Sequence, residues 1–169
     1  MNQTNQTRKL ALAGLLTAVA VVGGMFSIPL GAAKCSPVQH MVNVIAAILL
    51  GPGYAIGSAF TASIIRNLIG TGSLLAFPGS MVGALLAGLL HKKTQHVAGA
   101  FVGEVVGTGI LGAILSYPVA TLLMGKSAAL FAFVPAFLIN TVAGSTVAVL
   151  VVCALARIDI LNNLRASLR

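Results

Sequence analysis

Gly31-Ala32-Ala33-Lys34-Cys35-Ser36-Pro37-Val38-Gln39-His40-Met41-Val42-Asn43 is the stretch on which the reading of this chain turns. It is a polar island in an almost continuously apolar sequence. Ser36-Pro37-Val38-Gln39 has the form of a helix start: serine suits the N-cap, proline the first helical position, and Gln39 can close a capping box. From there Gln39 and His40 stand four and three residues before Asn43, so the three share one helical face. Polar side chains on one face of a helix in so apolar a chain need a partner or a ligand. Two readings follow: the side chains satisfy one another and a loop backbone, or they line a small polar pocket.

Composition decides the class. Of 169 residues 58% are hydrophobic and 7% charged, whereas soluble domains carry about 25% charged residues. The mean hydropathy is +1.04. Too little polar material is present for a water-facing surface, so an integral membrane protein is expected. Apolar segments recur to the C-terminus, which argues against a removable leader. The net charge of +8 sits between apolar runs, where it sets orientation; no nucleic acid is expected as a partner.

Turn signals cut the chain into six apolar runs, expected as spans at residues 10–26, 37–51, 54–70, 74–91, 96–124 and 128–156 of a single transmembrane domain. The breaks are Gly23 to Gly31, Gly51-Pro52-Gly53, Gly70 to Ser73, His91-Lys92-Lys93 and Gly125-Lys126-Ser127, where Ser127 can cap the next helix. The tail carrying Arg157, Arg165 and Arg169 is expected to continue as a short interfacial helix. Six spans place both termini on one side. Putting that side in the cytoplasm leaves Arg8, Lys9, Lys92, Lys93, Arg157, Arg165 and Arg169 inside and only Lys34 and Lys126 outside, as the positive-inside rule favours. Cys35 and Cys153 then fall toward opposite faces, too far apart for a disulfide. The expected fold is an all-α bundle of six transmembrane helices with a polar, glycine-rich mouth at its outer end.

Several polar groups lie within the runs. Arg66 and Glu104 are read either as a structural ion pair or, for Arg66, as a ligand contact. Asn67 and Asn140 serve equally as interhelical glue or as ligand contacts. Phe77, Tyr117, Phe131, Phe133 and Phe137 gather toward the outer ends, mostly as packing, with one or two available to stack on a flat ligand. In the first run Gly14 and Ala18 form a small-xxx-small pair, either packed within the bundle or open to another membrane protein. Catalytic and metal sites are not expected: the histidines are dispersed, and Glu104 and Asp159 are the only acids. No Walker loop is present, so the chain does not use ATP by itself.

This pattern resembles the S components of energy-coupling factor (ECF) transporters. Within that group residues 31–43, Arg66-Asn-Leu-Ile-Gly-Thr-Gly72 and Leu75-Ala-Phe-Pro-Gly-Ser80 resemble the thiazole type, ThiW. The likeness runs from about Lys9 to Arg157. It implies a non-enzymatic vitamin-precursor binder in a bacterial or archaeal cell membrane, with a T subunit and two cytoplasmic ATPases as partners. Those ATPases, not this chain, would consume the ATP. It implies docking through an AxxxA motif on the first helix, a place that Gly14 and Ala18 occupy here with glycine at the first position. The implied ligand is hydroxyethylthiazole, the thiazole moiety of thiamine.

Lys34, Gln39, His40, Asn43, Arg66, Asn67, Tyr117 and Asn140 are the expected ligand-binding residues. Lys34 and Arg66 leave a phosphorylated or otherwise anionic ligand open. The rivals are an S component for another vitamin-like molecule, a self-sufficient carrier coupled through Arg66 and Glu104, and a membrane enzyme using Cys35 and His40. Coupling and catalytic groups are too scarce to favour the last two.

Overall fold

A computed structural model describes residues 3–30 and 33–168, and of residues 28–30, 33–35, 160, 162, 163 and 165 the backbone alone. The architecture is helical: α1 (Gln3–Gly23), α2 (Pro37–Leu50), α3 (Pro52–Leu68), α4 (Ala76–Thr94), α5 (Val97–Leu123), α6 (Val134–Arg157) and α7 (Ile160–Ser167). Three of them, α1 with its extension to Phe26, α5 and α6, are long and apolar enough to cross a membrane by length and composition.

The bundle forms around α2. Its residues from Val42 to Ile48 are all buried, as are Gln39, His40 and Leu50, the mark of a helix enclosed on every side. Helices α1, α3, α4, α5 and α6 all pack against it. The surrounding core is built largely from alanine, including Ala46, Ala47, Ala55, Ala59, Ala84, Ala87, Ala100 and Ala148. Small side chains let apolar helices approach closely where there is no hydrophobic drive to hold them together. With 14 residues, α2 is about 21 Å long, short of the about 30 Å of a hydrocarbon core. Its polar first turn is enclosed as well, with Ser36, Gln39 and His40 all buried.

Two corrections concern the connections. The break after the first run was expected as a loop. In its place Ile28–Leu30 (β1) and Ala33–Cys35 (β2) pair antiparallel, with Ile28 opposite Cys35 and Leu30 opposite Ala33. A two-stranded ribbon has only edges, so Pro29 costs it no interior ladder bond. Ser127 does not cap a helix either. The chain stays irregular beyond it, and α6 starts at Val134 with proline in its first turn, where the missing N–H is not needed. The tail does continue as a helix, α7, which buries Leu161, and Leu168 just beyond it is buried too. Both chain ends meet at one end of the bundle, where Arg8 donates to the Ser167 carbonyl at 3.2 Å.

Helices α4 and α5 meet along a seam of small residues. A Cβ on Gly107 would lie 2.7 Å from Gly83 Cα, one on Gly112 2.6 Å from Gly79 Cα, and one on Gly103 2.6 Å from Ala87 Cα. Successive members on α4 are four residues apart, whereas Gly107 and Gly112 are five apart. The helix opens into wide turns over Gly107–Gly112, and that extra residue keeps Gly112 on the seam.

Candidate ligand-binding site

The end of the bundle opposite the chain termini holds a cavity of ≈ 50 Å³. Helix α2 contributes Ser36, Gln39 and His40 from its start, α3 contributes Arg66 from its last turn, and α6 contributes Phe137 and Asn140. The rest comes from Ser73, Leu75, Ala76, Gly79 and Ser80 at the entry to α4, and from Thr108 on α5.

The loop between α3 and α4 shapes one wall. Gly70, at φ +76°, ends α3 in the left-handed conformation that glycine adopts without strain. Gly72 N–H then returns to the Arg66 carbonyl at 2.8 Å. Asn67 donates to the carbonyls of Ser63 at 2.8 Å and Ser73 at 3.2 Å. Asn67 thus holds the loop that brings Ser73 to the cavity, and is not itself part of the lining.

Inside, one connected polar network runs from α3 to α5. Arg66 Nη1 donates to Gln39 Oε1. The Gln39 amide donates to Ser80 Oγ at 2.9 Å and lies 3.3 Å from Ser63 Oγ. Asn43 Nδ2 lies 3.0 Å from Ser80 Oγ and 3.0 Å from Glu104 Oε1. His40 Nδ1 meets the same carboxylate oxygen at 2.8 Å, and Thr108 Oγ1 lies 3.0 Å from it. Glu104 is wholly buried.

This network revises two expectations. Among the described residues Glu104 pairs with His40 and not with Arg66; the guanidinium belongs to the cavity, while the carboxylate lies behind it beside Asn43. Ser36 stands at the N-cap, but its hydroxyl makes no cap bond, and Gln39 turns inward to Ser80 instead of closing a capping box. The cavity draws both side chains away from the local motif.

Of the expected ligand-binding residues, Gln39, His40, Arg66 and Asn140 come together in the lining, with Asn43 directly behind. Tyr117 lies elsewhere: its neighbour Ser116 is the inward residue there, bonded to the Gly112 carbonyl at 2.8 Å, and a step along a helix turns the next side chain away. Lys34 is on β2, and its side chain lies outside the described residues. Gly14 and Ala18 are exposed on α1 and border an open groove of ≈ 560 Å³ between α1 and α3. Reading the sequence missed Ser73, Ser80 and Thr108. Each carried a signal: Ser73 closes the Gly70–Ser73 break, Ser80 ends a stretch that carries the resemblance, and Thr108 stands one turn after the lone intramembrane acid.

Two polar atoms of the lining are buried and make no hydrogen bond among the described residues: Ser36 Oγ and Arg66 Nε. Buried donors in native proteins are nearly always paired. Both belong to residues that line the cavity beside Phe137, and an aromatic side chain among a few polar ones suits a small, flat ligand with hydrogen-bonding groups.

The family model described as thiamine-precursor transporter protein (ThiW) matches residues 10–158. The chain belongs to the ThiW family. A member of this family is a transporter and not an enzyme, and its apolar helices make it a multi-pass membrane protein. The chain is also 31% identical over 125 residues to the biotin transporter BioY of Thermotoga maritima, covering 63% of this chain and 71% of the relative. Its fold matches the S component of a bacterial ECF transporter with a TM-score of 0.75 at 20% identity, covering 90% of this chain and 98% of that one. The resemblance carried by residues 31–43 and 66–80 is borne out at the level of family and fold.

Proposed function

We propose that this ThiW-family chain is the substrate-binding S component of an ECF-type ABC transporter, and that its ligand is hydroxyethylthiazole. The cavity lining carries this reading: Ser36, Gln39, His40 and Arg66 bring polar groups together beside Phe137. A neutral heterocycle with a ring nitrogen and a hydroxyl supplies partners for them. In this reading six helices span the cell membrane of a bacterium or archaeon. The basic residues Arg8, Lys9, Lys92 and Lys93 mark the cytoplasmic side, and the cavity opens outward.

Calorimetry on the purified protein in detergent tests the ligand, with hydroxyethylthiazole, its phosphate, thiamine and biotin as the panel. Hydroxyethylthiazole is expected to bind below about 1 μM, which corresponds to about −8 kcal/mol. Binding of biotin alone would keep the scaffold and remove thiazole as its ligand. Arg66 at the cavity favours a second reading, a phosphorylated thiazole, which tighter binding of the phosphate would establish.

Transport in this reading needs a T subunit and two ATPases, docked through the α1 face around Gly14 and Ala18. A side chain added at Gly14 meets nothing within 4 Å, so Gly14→Leu with Ala18→Leu is expected to leave ligand binding intact. Co-purification with the T subunit is expected to be lost. Retention of the complex by that double variant would rule out this face.

A further inference from the structure

Glu104 is buried behind the cavity and His40 lines it, and the bond between them sets what the cavity can read. An ionised carboxylate only accepts hydrogen bonds. The close approach of Asn43 Nδ2, a donor by nature, to Oε1 at 3.0 Å marks that oxygen as an acceptor. His40 Nδ1, 2.8 Å from the same oxygen, therefore carries a proton. A hydrogen bond at one ring nitrogen fixes the role of the other.

The charge balance of the network decides the state of the second nitrogen. Through Gln39, Ser80 and Asn43 the network already joins one guanidinium, Arg66, to one carboxylate, Glu104. A second proton on His40 would add an uncompensated positive charge inside an apolar bundle, where charge is expensive. The imidazole is then neutral, and Nε2 carries a lone pair.

We propose that Glu104 is a positioning residue that holds His40 as a hydrogen-bond acceptor toward the cavity, so that the site selects a ligand carrying an O–H donor. This rests on the reading of the chain as a thiazole binder for the identity of the ligand, though not for the state of His40. The other lining residues include donors, the Arg66 guanidinium and the Ser36 hydroxyl, for acceptors on the ligand such as a ring nitrogen. An alcohol satisfies both halves of this arrangement. An ether in the same place brings only an acceptor to the Nε2 lone pair and is rejected. The free alcohol is thereby favoured over its ether.

The first test uses the unliganded wild-type protein labelled with nitrogen-15 histidine, at neutral pH. The His40 signals, assigned by their absence from His40→Gln, are expected to show a protonated Nδ1 and an unprotonated Nε2. An Nε2–H tautomer or an imidazolium would overturn the proposal, whether or not any thiazole binds. The second test compares hydroxyethylthiazole with its methyl ether and with the ethyl analogue that lacks oxygen. Wild type is expected to prefer the alcohol over the ether by about tenfold or more, the scale for a buried acceptor left unpaired. In Glu104→Leu the freed imidazole can present Nε2–H, so that preference is expected to collapse while the ethyl analogue keeps its affinity. A merely structural role for Glu104 would weaken all three ligands alike, and that result would overturn the proposal. If Glu104→Leu does not fold, Glu104→Gln replaces it, and the wild-type spectrum still decides.

Discussion

Arg66→Ala is expected to weaken ligand binding by about 10- to 150-fold, the range for losing one charged hydrogen bond of about 1.5–3 kcal/mol. Arg66 is 4% exposed and lines the cavity, with Nη1 held by Gln39. Alanine removes the donor and also leaves Gln39 Oε1 without its partner, so a second lining residue loses its orientation. The fold is expected to survive, because Glu104 keeps its hydrogen bonds to His40, Asn43 and Thr108 when Arg66 is gone. Arg66→Lys is expected to rescue little, since an ammonium lacks the planar fork that can hold Gln39 and a ligand at once. Gly24 offers an independent lever on the same group. A Cβ there would lie 2.6 Å from Arg66 Cζ, so Gly24→Ala is expected to displace the guanidinium and weaken binding in the same direction. Calorimetry on the isolated protein, with a thermal melt as the check on folding, reads both variants. Wild-type affinity in Arg66→Ala would remove the residue from the site.

The membrane class and the helical bundle were legible because they rest on local signals. Scarce charge, long apolar runs and glycine–proline breaks each act within a few residues of themselves. The start of α2 at Pro37 was legible on the same ground, and so was the face shared by Gln39, His40 and Asn43. What Ser36 and Gln39 do there was not. Their local motif predicts a cap, and a cavity built from four other segments outcompetes it. The partner of Glu104 was hidden for a related reason: proximity to His40 depends on how α2 and α5 cross, which no spacing in either helix reveals. The hairpin of β1 and β2 has three residues a side, too few for alternation to be read against the apolar background.

The α4–α5 seam was half legible. Gly79, Gly83 and Ala87 follow the four-residue rule for close helix contact. Gly103 and Gly107 do the same, but Gly112 falls out of register for a regular helix and returns only through the wide turn at Gly107–Gly112. That irregularity places Thr108, between the two glycines, where its hydroxyl lies 3.1 Å from the Gly79 carbonyl and 3.0 Å from Glu104. The backbone departure and the buried polar network thus occupy the same turn of α5, as wide turns at functional sites commonly do.

Gly107→Leu is accordingly expected to abolish the folded protein, the largest effect of any single substitution considered. A Cβ at this position would meet Gly83 Cα at 2.7 Å and the Val82 carbonyl at 2.9 Å, so backbone opposes it and no rotamer change gives relief. Inserting extra carbons into a packed core costs about 1–3 kcal/mol when side chains can shift. Here α4 and α5 must part instead, and parting them also breaks the Thr108 bond to Gly79. Against a total stability of about 5–15 kcal/mol, such a loss leaves little native protein. The expected readout is loss of the monodisperse peak in size-exclusion chromatography of detergent extracts. Gly107→Ala separates packing from helix propensity. Alanine favours a helix by about 1 kcal/mol over glycine, so propensity alone would raise the melting temperature, whereas contact with Gly83 would lower it. A rise in Gly107→Ala would mean that the two helices separate at no cost, and the seam would then not be what holds Glu104 and Thr108 against the cavity.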